Sequence, residues 1–328
     1  MSLASRIDPP RARTFRALGL LRDLGIGTLL CLTPVTAIIA LGWITRAMKA
    51  TIDTRWGDAV GRPGWIMGRD DAGLAQRWLG GLAANIETGL RAAVGLFVLT
   101  LPVTLAWLGA WWAGWENSFN KGYEQSSVGP AVWMLATLLA LPVFAHLPLA
   151  VAHFAAERRL GAVFEWRRIR SIGAAAGWRL LWIALLSVAA SGLIFVTRAV
   201  PTFIEGPFPE FAELSAADQA AIAGQIDLAT AALAFVIMAY LRHRAAVIYA
   251  RAAPRAAHGR TAPHWKGHRL CHVRPSGRMP SRVSASLWLI VACLVWLGLP
   301  VLIVAGQFLN YATMHWLFHP VLTLPWIG

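Results

Sequence analysis

"GTLLCLTPVTAIIALGWITRAMK", residues Gly27 to Lys49, decides how the rest of the chain is threaded. It is apolar, close in length to a membrane-crossing helix, and closed by Arg46 and Lys49. A helix needs about 20 apolar residues to cross ~30 Å of hydrocarbon. Pro34 stands near the middle of the stretch. Its ring carries no amide hydrogen, clashes with the preceding turn and disfavours helix at Thr33. The segment is therefore one kinked crossing or two half-helices that enter and return. The charges elsewhere in the chain choose between these.

Composition sets the frame. The chain of 328 residues is 57% hydrophobic and 14% charged, with a mean hydropathy of +0.54. A soluble domain carries about a quarter charged residues, so this composition marks an integral membrane protein. Uncharged runs predict a re-entrant or Pro-kinked segment over 24–45 and full crossings over 92–115, 130–153, 180–197, 219–241 and 284–306. The expected fold class is all-α, a single polytopic helical bundle over residues 1–328 with five full spans. Ser215, with Asp218 three positions on, reads as a capping box that starts the helix before 219.

Charge between the runs is uneven. Residues 1–23 hold five Arg and two Asp; 46–91 hold seven basic and five acidic residues; 116–124 hold one Lys and two Glu. Residues 157–179 hold six Arg and two Glu, 198–227 one Arg and five acids, and 242–282 ten basic residues and no acid. Positive charge gathers on the cytoplasmic side. Segments 157–179 and 242–282 are thus expected inside, and 116–124 and 198–227 outside. Residues 46–91 then also lie inside. A full crossing by 24–45 would leave the N-terminus, with its five Arg, outside. A hairpin turning at "LTPV" keeps 1–23 cytoplasmic, provided neighbouring helices satisfy the carbonyls freed at Pro34.

The formal charge of +14 would suggest nucleic acid in a soluble protein. Here the charge sits in loops beside spans, and no aromatic-basic nucleic-acid module is present. The expected partners are membrane lipids, with anionic headgroups at the Arg-rich inner loops. Three Arg-bearing amphipathic stretches, 13–25, 74–90 and 157–173, read as interfacial helices. The loop 242–282, rich in Arg, Pro, Gly and His, reads as flexible. Cys31, Cys271 and Cys293 are too few and scattered for a disulfide framework. The N-terminus lacks the cleavage pattern of a signal peptide.

Several residues are candidates for chemistry. His146 and His153 lie two turns apart on one helix, and ionisable groups within a span are functional candidates by default. Asp227 touches the outer part of its span, with Arg198 as a possible partner. Glu116 and Asn117, in "WWAGWENSFNKGYEQ" (111–125), would line an outward mouth. His264, His268, Cys271 and His272 are zinc-type ligands, but no hairpin or helix orients them, and they read as part of a basic loop. The tail, 306–328, reads as lying on the outer leaflet. No nucleotide-binding loop, zinc-protease motif or nucleophile elbow occurs, and no cofactor is expected. The sequence therefore favours a non-enzymatic membrane component acting through lipids or partner proteins. A permease is the alternative, suggested by the Pro34 break, the intramembrane His and the echo of "TLLCLTPV" (28–35) in "TLLALPV" (137–143).

The run ending in "GWITR" (Gly42–Arg46) resembles a group of uncharacterised prokaryotic multi-pass membrane proteins. In these, a domain of unknown function carries an apolar hairpin closed by Gly-aromatic-x-x-Arg. The stretches "GWENSFNKGYEQ" and "GQFLNY…HP…LPW" are similar to hypothetical alphaproteobacterial membrane proteins. The resemblance implies an inner-membrane location and no assigned activity. Trp43, where Tyr is more usual, and the long basic loop depart from the group's pattern.

Overall fold

The computed structural model describes residues 10–57, 74–110, 128–204, 208–310 and 319–326, with the backbone alone at 10–18, 74–79, 128, 201–202 and 306–310. The described residues form helices and turns, with no strand among them. The helices are α1 (Pro10–Leu30), α2 (Pro34–Trp56), α3 (Leu74–Ala110), α4 (Val128–Glu157), α5 (Trp166–Ala176), α6 (Arg179–Phe203), α7 (Glu210–Glu213), α8 (Ala216–His258), α9 (Arg282–Trp296) and α10 (Gly298–Asn310). Single 3-10 turns cover Leu160–Phe164, Ala262–Trp265 and Arg269–His272. Among the described residues 6 helical stretches are long and apolar enough to cross a membrane: α2, α3, α4, α6, α8 and the α9–α10 pair. The chain is an all-α polytopic membrane bundle.

At Pro34 the chain doubles back. Gly27 of α1 has no side chain because the ring of Phe235, on α8, occupies that space. Trp43 of α2 stacks on the same Phe235 ring, with centroids 6.0 Å apart. In one bent helix, positions 27 and 43 would stand about 24 Å apart at 1.5 Å per residue, so both cannot touch one ring. Pro34 takes the first helical position of α2, where a missing amide hydrogen costs nothing. Thr33 caps that helix by accepting from the Thr36 amide at 3.3 Å. The Thr36 hydroxyl donates to the Leu30 carbonyl at 2.8 Å. The carbonyl freed at the corner is thereby satisfied without water, as an apolar setting requires.

Contacts fix the register. Trp43 meets Phe235, Thr51 meets His243 at 3.4 Å, and Trp56 Nε1 donates to the Ala250 carbonyl at 3.0 Å. The numbers rise together, so α2 and α8 run parallel. α2 as a whole is long and apolar enough to cross; its uncharged part, 34–45, extends about 18 Å at 1.5 Å per residue. α3 returns antiparallel to α2. A Cβ at Gly42 would overlap the Asn85 carbonyl, and a Cβ at Gly89 would overlap the Ile38 carbonyl. This is the close backbone approach that small residues permit between membrane helices. Arg46 closes the seam, donating to Asn85 Oδ1 at 2.8 Å; Asn85 is fully buried.

Several expectations need correction. The segment 74–90 is not a separate interfacial helix, because α3 runs unbroken from Leu74 to Ala110. The loop expected over 242–282 is folded. α8 continues to His258, and two 3-10 turns follow in which Trp265 and Leu270 are completely buried. The expected span over 284–306 is present as Arg282–Ala305, with one irregular turn at Leu297 between α9 and α10, because Pro300 cannot donate to the carbonyl four residues back. The tail does not lie on an outer surface: Pro320 to Pro325 are buried. Leu324 packs with Leu41, Phe154 and Val163, and the Leu322 carbonyl accepts from Arg242 at 2.7 Å. The echoed prolines differ in setting, since Pro34 starts α2 whereas Pro142 lies inside α4. The capping box forms as expected, with Ser215 accepting from the Asp218 amide at 3.2 Å.

Gly42→Ala forces a methyl group into a backbone carbonyl that has no room to move. Overpacking of this kind costs about 1–3 kcal/mol, and a backbone neighbour puts the variant at the upper end. Thermal unfolding in detergent is expected to show a clearly lowered melting temperature for G42A. Gly109→Ala is the control, because nothing stands within 4 Å of a Cβ there. Equal melting temperatures would rule out the close α2–α3 seam.

Candidate functional site

One end of the bundle collects the basic segments. Here the ends of α2, α4 and α8 meet α5, the start of α6 and the folded segment 259–281. The local sequence explains how this end is held. α4 finishes at Glu157, and Arg158 takes the left-handed position after it, with φ 56 and its amide on the Phe154 carbonyl at 2.8 Å. The turn Leu160–Phe164 then buries Val163 and delivers Glu165 to the start of α5. Ile169, Ile172, Ala175 and Ala176 bury the other face of α5.

Glu165 is the hub. It accepts from His153 Nε2 at 2.9 Å and from Arg168 at 2.7 Å, and it pairs with Arg159. Because Nε2 donates, His153 Nδ1 is left to accept from the Tyr249 hydroxyl, 2.8 Å away. His153 is completely buried. Burial pushes the Glu165 carboxyl up, but the hydrogen bonds from His153 and Arg168 and the charges beside it prevail. They hold it below the ordinary carboxylate range.

The same groups fix 259–281. The Arg168 guanidinium lies over the Trp265 ring at 5.2 Å and donates to the His264 carbonyl at 3.0 Å. Trp265 Nε1 donates to Ser171 at 3.1 Å. His268 accepts from the Leu270 amide through Nδ1, so its Nε2 donates to Glu157, 3.1 Å away. Arg269 donates to the Ala156 carbonyl at 3.2 Å, stands over Trp56 at 4.9 Å, and approaches Asp53 at 3.7 Å. Asp53, 1% exposed, also pairs with Lys49.

Two basic cavities open beside this network. One, of about 280 Å³, is lined by Thr45, Arg46, Lys49, Thr88, Arg91 and Arg158, together with Glu87. Its cations are partly engaged, Lys49 by Asp53, Arg46 by Asn85 and Arg91 by Glu87 at 2.7 Å. The other, of about 470 Å³, lies between α6 and α8, and no carboxylate lines it.

The candidates from sequence fall in different places. Pro34 shapes the hairpin and lies away from the basic end. His146 contacts the Pro142 carbonyl at 2.8 Å and the Trp166 ring at 5.4 Å, and Gly173 leaves room for its imidazole. This is helix packing, and His146 lines neither cavity. His153 belongs to the Glu165 network. Asp227 acts electrostatically on Arg198, the partner expected for it, at the end far from the basic groups. Glu116 and Asn117 lie outside the described residues, as do the side chains of the N-terminal half of α1. His264, His268 and Cys271 have separate partners: the His264 carbonyl accepts from Arg168, His268 meets Glu157, and Cys271 Sγ donates to the Trp265 carbonyl at 3.0 Å.

Sequence reasoning missed Glu165, Tyr249, Glu157, Asp53 and the groove arginines. One available signal was Trp265 and Leu270, large apolar residues inside an otherwise polar segment. No protein-family model, curated protein or solved structure matches the chain.

The lowered Glu165 pKa gives a signed expectation. Its stabilisation is fully present above the unfolded-state carboxylate pKa and is lost as pH falls through the lowered folded value. Glu165→Gln is expected to melt below wild type near neutral pH, with the gap closing on acidification. Melting curves from about pH 7 to about pH 3 span the range, and a gap independent of pH would refute the assignment. Trp265→Ala is expected to expose the 259–281 segment to trypsin while the spans stay folded. A digestion pattern identical to wild type would show that Trp265 does not hold it.

Proposed function

We propose that this chain is a non-enzymatic component of a bacterial inner membrane whose basic end faces the cytoplasm and engages anionic lipid headgroups. The observation that carries the reading is the folded state of 242–282. Of its ten basic residues, all but the buried Arg242 and Arg255 are at least partly exposed on a folded end set against the apolar helices rather than on a loose loop. Cations fixed at that level stand where phospholipid phosphates lie, and each contributes about 1 kcal/mol of attraction to an anionic surface. The orientation rests on the positive-inside bias. Under it the α1–α2 hairpin enters from the cytoplasmic side and doubles back at Pro34.

Of the features that suggested a permease, the intramembrane His146 does not favour one. His146 packs between helices, and Asp227 and Arg198 lie at the far end.

The reading is tested by the lipid dependence of stability. Purified protein, reconstituted in nanodiscs of zwitterionic lipid or of zwitterionic lipid mixed with anionic lipid, is expected to melt higher in the mixture. The gain is expected to shrink with added salt, since screening shortens the reach of exposed charge to about 3 Å at 1 M. A melting temperature indifferent to anionic lipid would overturn the reading.

A further inference from the structure

The larger cavity has the layout of an amphiphile site. Four guanidiniums line it, from Arg55 at the end of α2, Arg179 at the start of α6, and Arg244 and Arg251 on α8, with His243 beside them. No Asp or Glu lines it, unlike the smaller cavity, where carboxylates and an amide already engage the cations. Arg244 Nε is buried without a hydrogen-bond partner, and a buried guanidinium nitrogen left unbonded is costly unless a ligand supplies an acceptor. Trp178 and Trp182 form the α6 wall, and Arg179 stands 5.3 Å from the Trp178 ring. Indole rings of this kind favour the headgroup level of a bilayer.

What lies next to the cations distinguishes a lipid from a soluble anion. On α8, Tyr240 and Val236 follow Arg244 at four-residue steps toward the apolar middle, and both are exposed. On α6, Leu185 follows Trp182 one turn on and is also exposed. Residues at such spacings share one helix face. A cationic mouth thus passes without interruption into an apolar trough about 12 Å long at 1.5 Å per residue.

We propose that this groove holds one anionic phospholipid, its phosphate among Arg55, Arg179, Arg244 and Arg251 and its acyl chains along Tyr240, Val236 and Leu185. Arginine suits the task, because its planar fork donates to two phosphate oxygens at once. The proposal rests on the reading that the basic end engages anionic headgroups, and it narrows that reading to a single site.

Native mass spectrometry of the full chain, delipidated in mild detergent, tests it. The probes are phosphatidylglycerol, phosphatidylcholine with the same acyl chains, and sn-glycerol 3-phosphate. Wild type is expected to take up one phosphatidylglycerol in preference to phosphatidylcholine. The Arg244→Gln/Arg251→Gln double variant is expected to bind it about tenfold or more weakly, two cation contacts being lost. Lys266→Gln/Arg274→Gln removes two exposed cations outside the groove and is expected to keep the single bound lipid. Should the double variant fail to fold, as judged by circular dichroism and elution, Arg55→Gln removes an exposed groove cation and reads the same loss on a smaller scale.

Undiminished phosphatidylglycerol binding by the groove variants overturns the proposal. So does displacement of the lipid by glycerol phosphate at equal concentration, which would mark a soluble-anion site. If the groove variants bind lipid like wild type but still melt higher in anionic nanodiscs, the groove assignment alone fails. If wild type shows no preference for anionic lipid in either measurement, the broader reading fails with it.

Discussion

One carboxylate, Glu165, holds together pieces of chain that would otherwise repel. Arg159, Arg168 and His153 converge on it from the turn after α4, from α5 and from α4 itself. Through Arg168 the influence reaches Trp265 and the His264 carbonyl, and so the segment 259–281. Through His153 it reaches Tyr249 on α8. The cluster sits at the boundary between the apolar bundle and its charged end, where a buried imidazole needs partners on both nitrogens. Asp53 and Glu157 repeat the arrangement at smaller scale for Arg269 and His268. A basic cap is stable here because three acids from other segments are spent inside it.

That arrangement also marks how far the sequence could be read. The helices were legible because apolar runs and caps are local: Ser215 starts α8 and Pro34 starts α2 by rules that need only a few neighbours. The doubling back at Pro34 was legible because a proline in mid-run interrupts a helix by a local rule. The cap was not. Counted segment by segment, 242–282 holds ten cations and no acid, the composition of a loop that stays open. Its counter-charges, Asp53, Glu157 and Glu165, lie on α2, at the end of α4 and before α5, so neutralisation becomes visible only in three dimensions. The same holds for the groove. Arg55, Arg179, Arg244 and Arg251 come from three helices, and nothing in their spacing announces that they share a wall.

The α2–α3 seam shows a different limit. Gly42 lies in a Gly-aromatic-x-x-Arg run and Gly89 in a Thr-Gly-Leu run. Gly89 has Ala93 four residues on, the small-residue spacing of a close helix crossing, but Gly42 has Ile38 and Arg46 at that distance and carries no such pattern. What pairs them is the antiparallel register set by the hairpin. Arg46 then reaches Asn85 at 2.8 Å because the two backbones already touch one turn away. Packing at the seam and satisfaction of a buried amide are one event, and the glycines make it possible.

The contact between Arg242 and the Leu322 carbonyl has a consequence for biogenesis. Arg242 is 4% exposed and donates to a backbone oxygen 80 positions further along the chain. Ribosomes deliver chain from the N-terminus, so α8 enters the bilayer before its arginine has that acceptor. Through synthesis of α9 and α10 the guanidinium needs water, lipid phosphate or an insertase as a temporary host. Residues 320–325 emerge after α9 and α10, so their contacts with Arg242, Phe154 and Val163 close the basic end later than α8 inserts.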